Sequence, residues 1–346
     1  MKWKKGMGAL DFSPFHDIWM EDFEGNLQPM DEPYHSAKEI APGTWQVLSA
    51  GDYTYVIEGD DEVIVIDSGN GAGNIREFCQ SLVPDKPVYR IFNTHNHFDH
   101  TLNNYQFDVV YMSEKCYKGR WNPMGGELAA LDVPTDYPVV FLKDGDVINL
   151  KGRPLEVYNI EEHCMGSLQF LDRKNRILFC GDELNGNFFD SRISVEHSFR
   201  NLTRWMSFRD AYDTLCAGNG IHSAEYVDRY YKTAKYILSG HADEGEEFYV
   251  PYEDHIASAR EIDGHPVKTR RGPNMEDFAK PLITAGFAKH VALNHGRGCF
   301  CLTRKLTPDG LFDRQLVMND CRFCYYLNRV WDRSNNTSNL LGGQTE

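Results

Sequence analysis

The sequence predicts an α+β fold in which two β-sheets pack face to face and helices cover their outer sides. Short runs rich in Val, Ile, Tyr and Phe, broken by Gly and Asp, are typical of strands, as in "GTWQVLSAGDYTYVIEGDDEVIVIDSG". Strands and helical segments follow one another in two passes along the chain, which favours stacked sheets with helices outside. Hydrophobic residues make up 41% of the chain and aromatic residues 13%, enough to fill a substantial core.

The first pass contains the three strands just quoted, a helix in "NIREFCQSL", a buried strand in "PVYRIFNTH" and a strand in "VVYMSE". A Gly- and Pro-rich insertion follows, "YKGRWNPMGGELAALDVPTDYP", of a kind that often forms a pocket wall. Its Trp121, Met124 and Tyr137 are candidate pocket residues.

The second pass predicts strands in "VVFLKDGDVINL", "PLEVYNIE", "SLQFLDR" and "NRILFCGDEL". Helices are predicted in "LTRWMSFRDAYDTLC" and "AEYVDRYYKTAKYILSG", and residues 248–326 predict extended segments around a helix in "MEDFAKPLITAG". We expect one large domain at 41–326, with a C-terminal extension from about 245. Residues 1–40 form an N-terminal extension and 327–346 a tail.

The net charge of −15 argues against a nucleic acid or an anionic membrane as the partner, because both would be repelled. The first residues lack the apolar stretch of a signal peptide, and no apolar run is long enough for a membrane span. We therefore expect a cytoplasmic protein that acts on a small-molecule substrate. The sequence does not indicate its oligomeric state.

Nine cysteines, an odd number, fit reduced thiols better than a disulfide framework. Cys299 and Cys301 are separated from Cys321 and Cys324 by the turn "TPDG", so paired strands can bring four thiolates to a structural zinc ion. The CxC and CxxC spacing is weaker than two CxxC motifs, and buried cysteines on strands are common. We expect free thiols.

The segment "NTHNHFDHTLNN" places four potential metal ligands within six positions, directly after a buried strand. Histidines two residues apart point to the same side of an extended chain, so His95 and His97 can hold one ion. Asp99 and His100 fall where the chain turns, which leaves room for a second ion. No packing requirement explains this spacing, and it indicates a metal site.

Two further ligands are expected at the ends of other predicted strands. His163 follows "PLEVYNI", and Asp182 ends "RILFCGDEL". With "VIVIDSG", which contains Asp67, and "THNHFDH", these motifs resemble those of the metallo-β-lactamase superfamily in order and approximate spacing over residues 40–240. The resemblance implies an αβ/βα four-layer sandwich, and it leaves the substrate open.

The resemblance also implies the roles of these residues. His95, His97 and His163 would bind a first ion, and Asp182 would bridge to a second ion held also by Asp99 and His100. One or two Zn²⁺ ions would generate a metal-bound hydroxide that cleaves an ester, thioester, lactone or amide bond. Asp99 would be catalytic, steering the water and receiving its proton, and Asp67 would orient the ligand loop.

The chain departs from the family at "CAGNGIHSAEYVDRYYK", where Gly218 or Asn219 replaces a further histidine that usually binds the second ion. His222, a few residues on, or His295 in "LNHGRG" can fill the gap. Without either, the second ion would bind more weakly.

Two other functions remain open. One is a mononuclear Fe²⁺ dioxygenase of the persulfide dioxygenase type, which binds its iron through two histidines and one aspartate. The other is a metal-binding scaffold protein without catalytic activity. Nothing in the sequence selects among Arg192, His197 and Arg200 as contacts for an anionic substrate group.

Overall fold

The computed structural model describes most of the chain up to residue 241 and five short strands beyond it. The described residues are 8–17, 19–21, 27–32, 35–49, 52–69, 71–119, 131–184, 189–191, 195–241, 246–248, 260–262, 265–269, 288–290 and 323–326.

Two short antiparallel strands, β1 (Trp19–Glu21) and β2 (Leu27–Pro29), precede a seven-stranded sheet. In spatial order that sheet consists of β3 (His35–Ala41), β4 (Thr44–Ser49), β5 (Asp52–Glu58), β6 (Val63–Ile66), β7 (Arg90–Phe92), β8 (Val109–Met112) and β9 (Val139–Phe141). Strands β3 to β6 pair antiparallel, and β6 to β9 pair parallel.

A six-stranded sheet forms the second half of the sandwich. It consists of β10 (Val147–Asn149), β11 (Pro154–Tyr158), β12 (Gln169–Asp172), β13 (Ile177–Gly181), β15 (Thr214–Ala217) and β16 (Gly220–Ser223). Strands β13 and β15 pair parallel, and the other neighbours pair antiparallel. The chain between β13 and β15 contains β14 (Phe189–Ser191).

The remaining strands form two small sheets. Strand β14 joins β17 (Glu246–Phe248), β20 (Ala288–His290) and β21 (Phe323–Tyr326), whereas β18 (Arg260–Ile262) and β19 (His265–Thr269) join β1 and β2.

The helices are α1 (Ile75–Leu82), α2 (Phe98–Thr101), α3 (Glu114–Gly119), α4 (Val195–Met206) and α5 (Glu225–Tyr236). Helix α1 begins after Asn74, whose side chain accepts a hydrogen bond from the Glu77 amide at 3.1 Å and so satisfies one of its free N–H groups. Short 3₁₀ turns occur at Ser13–Phe15, Asn104–Gln106 and Arg209–Ala211, and a π-helical turn at Ile237–His241.

Alternating side chains divide the core into layers. In β6, Ile64 faces the second sheet, and Val65 faces the outer core with α1 and α3. In β13, Phe179 faces the first sheet, and Leu178 faces α4 and α5. Because successive side chains of a strand point to opposite faces, central strands such as β6 and β13 are buried on both sides. The predicted α+β sandwich with helices outside is confirmed.

The helix predicted over "LTRWMSFRDAYDTLC" is wrong in its second half. Helix α4 ends at Met206, and the chain returns as β15, in which Leu215, Cys216 and Ala217 are fully buried. An all-buried strand has no alternation, so its pattern resembles that of a buried helix.

The predicted domain boundaries remain a prediction, although β3 already begins at His35, ahead of the expected boundary. The helix expected in "MEDFAKPLITAG" lies outside the described residues. Within the described ranges, no helix combines the length and apolar character needed to cross a bilayer.

Candidate metal centre

The predicted ligands follow the C-terminal ends of strands from both sheets. His95 and His97 follow β7, His163 follows β11 and Asp182 follows β13. Strands β11 and β13 run in the same direction, since each is antiparallel to β12. The sheets therefore bring together residues that are up to 87 positions apart in the sequence.

His95, His97 and His163 form the first group of potential ligands. The Nε2 atoms of His95 and His163 each lie 3.0 Å from Nδ1 of His97. One ligand nitrogen from each residue falls within 4.8 Å of the other two. Three imidazoles at this separation are suited to one transition-metal ion.

His95, His100 and Asp182 form a second group, again with ligand atoms within 4.8 Å of one another. The Asp182 carboxylate lies between the groups, with Oδ1 3.5 Å from His100 Nε2 and Oδ2 3.7 Å from His163 Nε2. This placement is the one expected of a carboxylate that bridges two ions.

Asp67 fixes the orientation of His100. Its carboxylate accepts hydrogen bonds from His100 Nδ1 at 2.8 Å, from Thr94 Oγ1 at 2.6 Å and from the Thr94 amide at 2.8 Å. With Nδ1 as the donor, Nε2 of His100 presents its lone pair toward Asp182. Asp67 adopts a φ of 57°, uncommon for a residue other than glycine.

His100 Nε2 provides a test of whether the site fits a metal. The atom is fully buried and makes no hydrogen bond within the part of the chain that the structure describes. Leaving a buried polar atom unsatisfied costs about 1–3 kcal/mol, so such atoms have a partner in most proteins. A cation next to Asp182 would supply that partner, and the donor set fits one.

The charge states of His95 and Asp182 suit metal coordination. Burial lowers the pKa of His95 well below its usual value, so its imidazole is neutral. Burial opposes ionisation of Asp182, but the neighbouring His100, His163 and His95 hold the pKa of its carboxyl well below the usual range. Metal binding requires neutral imidazoles and an ionised carboxylate. Burial opposes protonation of His100, but the Asp182 and Asp67 carboxylates raise its pKa well above the usual value, so His100 must lose a proton to bind an ion.

Gly218, rather than Asn219, faces the second group. A Cβ atom placed on Gly218 would lie 2.4 Å from Asp182 Oδ1 and 2.8 Å from His100 Cε1. The Gly218 amide donates to the Gly181 carbonyl at 3.2 Å, and its carbonyl accepts from the Tyr53 amide at 3.0 Å. The backbone therefore lies against the ligands and leaves no room for a side chain.

His222 belongs to neither group of ligand atoms among the described residues. It lies on β16, where its Nε2 is 2.9 Å from Oδ1 of Asn219, and burial lowers its pKa to about 4. Its pairing with Asn219 does not support His222 as a replacement for the family histidine. The alternative, His295, lies outside the described residues.

Asp99 lies in the first turn of α2 and is partly exposed. Its carboxylate joins neither ligand group in the described ranges. A helix rotates about 100° per residue, so Asp99 and His100 point in different directions. Its two expected roles, as a ligand of the second ion and as a proton acceptor, remain predictions.

Of the candidate substrate contacts, Tyr137 and His197 have other partners, Arg200 is exposed, and the rest fall outside the described chain. Tyr137 is buried in the outer core, and its hydroxyl lies 3.3 Å from Nδ2 of Asn104. His197 Nε2 donates to the Glu161 carbonyl at 2.9 Å, whereas Arg200 is exposed on α4. Several residues named in the sequence analysis lie outside the described ranges: Trp121, Met124, Arg192, Cys299, Cys301 and Cys321. For Cys324, only the backbone of β21 is described.

Sequence reasoning missed Glu183, which directly follows Asp182. Its carboxylate accepts hydrogen bonds from the backbone amides of Glu162, His163 and Cys164. Burial raises its pKa to about 7, although the same amides act in the opposite direction. The only signal in the sequence is an acidic residue next to a ligand in "GDEL", a pattern common in turns.

Residues 51–214 match the sequence model of the metallo-β-lactamase superfamily. The match covers 164 of the 346 residues and confirms the resemblance seen in the motifs.

Two curated relatives are enzymes. The human acyl-coenzyme A thioesterase MBLAC2 is 31% identical over 175 residues, which cover 40% of this chain and 62% of the relative. A hydroxyacylglutathione hydrolase of Francisella tularensis is 28% identical over 137 residues, which cover 39% of this chain and 48% of the relative. The chain thus spans less than two thirds of either relative.

Among solved structures, a β-lactamase domain protein from Burkholderia ambifaria matches 60% of this chain and 77% of its own length. Its TM-score is 0.46 and its sequence identity 16%.

Proposed function

We propose that this protein is a metal-dependent hydrolase that cleaves the thioester bond of a small molecule. The observation that carries the proposal is the convergence of His95, His97, His163, His100 and Asp182 into two overlapping ligand groups. The groups share His95, and Asp182 lies between them.

The residues divide into two sites under this proposal. His95, His97 and His163 hold the first ion, and His100 and Asp182 hold the second, with Asp99 as its expected further ligand. Zinc is the proposed metal, because it accepts imidazole and carboxylate ligands. When bound, such ions lower the pKa of water toward 7 and polarise the carbonyl of the substrate. Asp67 keeps His100 in the required tautomer, and Asp99 is the proposed acceptor of the water proton.

The choice of a thioester rests on the two curated relatives. An acyl-coenzyme A and an acylglutathione both carry the acyl group on sulfur, so the bond rather than the remainder of the molecule is common to them. Phe98, between two predicted ligands, is 44% exposed and offers an apolar contact for an acyl chain beside the site.

The test is release of free thiol from a series of acyl-coenzyme A and acylglutathione substrates, with an oxygen ester and a lactone for comparison. We expect the wild-type protein to hydrolyse thioesters and His97→Ala to be inactive. Treatment with a chelator should abolish the activity of the wild-type protein, and addition of Zn²⁺ should restore it. A protein that contains two zinc ions per chain and hydrolyses none of the thioesters would refute the proposal.

An iron dioxygenase is the second candidate, because His95, His100 and Asp182 form a set of two histidines and one carboxylate. Such a set, with open coordination positions, is characteristic of non-haem Fe²⁺ oxygenases. Elemental analysis of protein purified without added metal separates the candidates. About two zinc ions per chain would support the hydrolase, about one iron ion the dioxygenase, and no metal a scaffold.

A further inference from the structure

Glu183 holds the backbone of the loop that carries His163. Its Oε2 accepts hydrogen bonds from the amides of Glu162 at 2.6 Å and His163 at 2.7 Å, and its Oε1 accepts from the amide of Cys164 at 3.0 Å. These three consecutive amides lie outside any helix or strand. Glu162 and Cys164 are almost fully buried, so their amides require hydrogen-bond partners of this kind.

Helix α4 holds the same loop from a second direction. The Glu162 carboxylate accepts hydrogen bonds from Ser198 Oγ at 2.6 Å and Asn201 Nδ2 at 2.7 Å. The Glu161 carbonyl accepts from Asn201 Nδ2 at 2.8 Å and from His197 Nε2 at 2.9 Å. The loop is thus fixed on both sides, and Glu183 provides the bonds nearest to His163.

Glu183 is also the neighbour of Asp182 in the chain. One turn after β13 therefore supplies the carboxylate that faces His163 Nε2 at 3.7 Å and the carboxylate that binds the His163 amide. A shift of this turn moves both together, so the distance between His163 and Asp182 is preserved. Hydrogen bonds from amides to a carboxylate are stronger than those between neutral groups, which suits Glu183 to this purpose.

We propose that Glu183 is a positioning residue, which acts through the backbone of residues 162–164 to direct His163 toward His97 and Asp182. The inference rests on the proposed function only in taking His163 as a metal ligand. Glu183 itself does not bind the ion. It sets the affinity and geometry of the first site by limiting the positions that the His163 imidazole can occupy.

The test measures metal binding by the full-length protein, with Co²⁺ as a spectroscopic probe. Glu183→Gln keeps one acceptor oxygen and replaces the other with an NH₂ group that cannot accept, so some of the three hydrogen bonds from the loop amides are lost. Glu183→Ala removes all three of these hydrogen bonds. We expect the Co²⁺ affinity of the first site to fall about 10- to 100-fold in Glu183→Ala and less in Glu183→Gln, as for other groups that orient ligands. The visible absorption spectrum of the bound Co²⁺ should change in the same variants.

Asp172→Asn is the matched control. Asp172 is also a fully buried carboxylate, but it accepts hydrogen bonds from Arg153 Nε and Nη2 and belongs to neither ligand group. This variant should lower the denaturant midpoint of unfolding and keep the wild-type Co²⁺ affinity and spectrum. It separates loss of stability from loss of ligand position.

Wild-type Co²⁺ affinity and spectrum in folded Glu183→Gln and Glu183→Ala would overturn the proposal, and so would an equal loss of affinity in Asp172→Asn. If Glu183→Ala does not fold, the graded change in Glu183→Gln decides alone. Failure of the wild-type protein to bind Co²⁺ would instead refute the proposed metal site. Binding of Co²⁺ without thioester hydrolysis would count against the proposed function and leave the role of Glu183 standing.

Discussion

Replacing Gly218 with Ala should disrupt the second ligand group and leave the first largely intact. The new Cβ would lie 2.4 Å from Asp182 Oδ1 and 2.8 Å from His100 Cε1. Carbon and oxygen atoms in contact require about 3.4 Å or more, so Asp182 must move by about 1 Å. The contact with His100 Cε1 is also too short, so His100 or the Gly218 backbone must shift as well, and a shift of His100 is opposed by its hydrogen bond to Asp67.

Two effects of different size follow from this displacement. Overpacking at a buried position costs about 1–3 kcal/mol of unfolding free energy. A misplaced ligand lowers metal affinity about 10- to 100-fold. The backbone of Gly218 lies outside the left-handed region, so Ala introduces no strain of its own, and the effect comes from the contact alone. Gly218→His meets the same contact and should not restore a tight second site.

The assay is titration of the metal-free protein with Zn²⁺ against a chromophoric chelator. We expect the wild type to bind one ion more tightly than the other, and Gly218→Ala to keep the tighter site and lose most affinity at the weaker one. Gly8→Ala is the control, because none of the described residues lies within 4 Å of its added Cβ. Two sites of wild-type affinity in Gly218→Ala, or a tight second site in Gly218→His, would refute the reasoning.

Three further predictions concern individual histidines. His97→Ala and His163→Ala should each lose the first-site metal and retain the far-ultraviolet circular dichroism spectrum, and unchanged metal content in both would contradict their assignment. His222→Ala should bind metal as the wild type does, since its Nε2 contacts Asn219, and loss of an ion in this variant would restore His222 as a ligand. Burial lowers the pKa of His35 to about 4. Because this lies below its unfolded value of about 6.5, the unfolded chain binds the extra proton, and His35 reduces stability by up to about 1.4 kcal/mol per pH unit as the pH falls from 6 to 4. Urea unfolding of metal-free His35→Gln should show a correspondingly shallower loss, and identical pH slopes would contradict the prediction.

The sequence by itself determined the order of most elements in the sandwich and most of the candidate metal ligands. Strand patterns such as "VIVIDSG" are local, and His95, His97 and His100 follow one strand at a spacing that indicates a metal site. His163 and Asp182 were recognisable as candidates because His163 follows a predicted strand and Asp182 ends one. A histidine or aspartate at the end of a predicted strand can be recognised from its immediate neighbours, so a single sequence is enough to identify it as a candidate ligand.

Tertiary structure decided everything that depends on contact between distant segments. Strand β15 has the composition of a buried helix, and only its pairing with β13 and β16 makes it a strand. The sequence left open whether Gly218 or Asn219 stands in place of the family histidine. The choice depends on a Cβ position measured against Asp182 and His100. Glu183 was not recognised because its three amide partners lie about 20 residues earlier in the chain. Hydrogen bonds between distant segments impose no periodicity on either segment, so the folded chain alone reveals them.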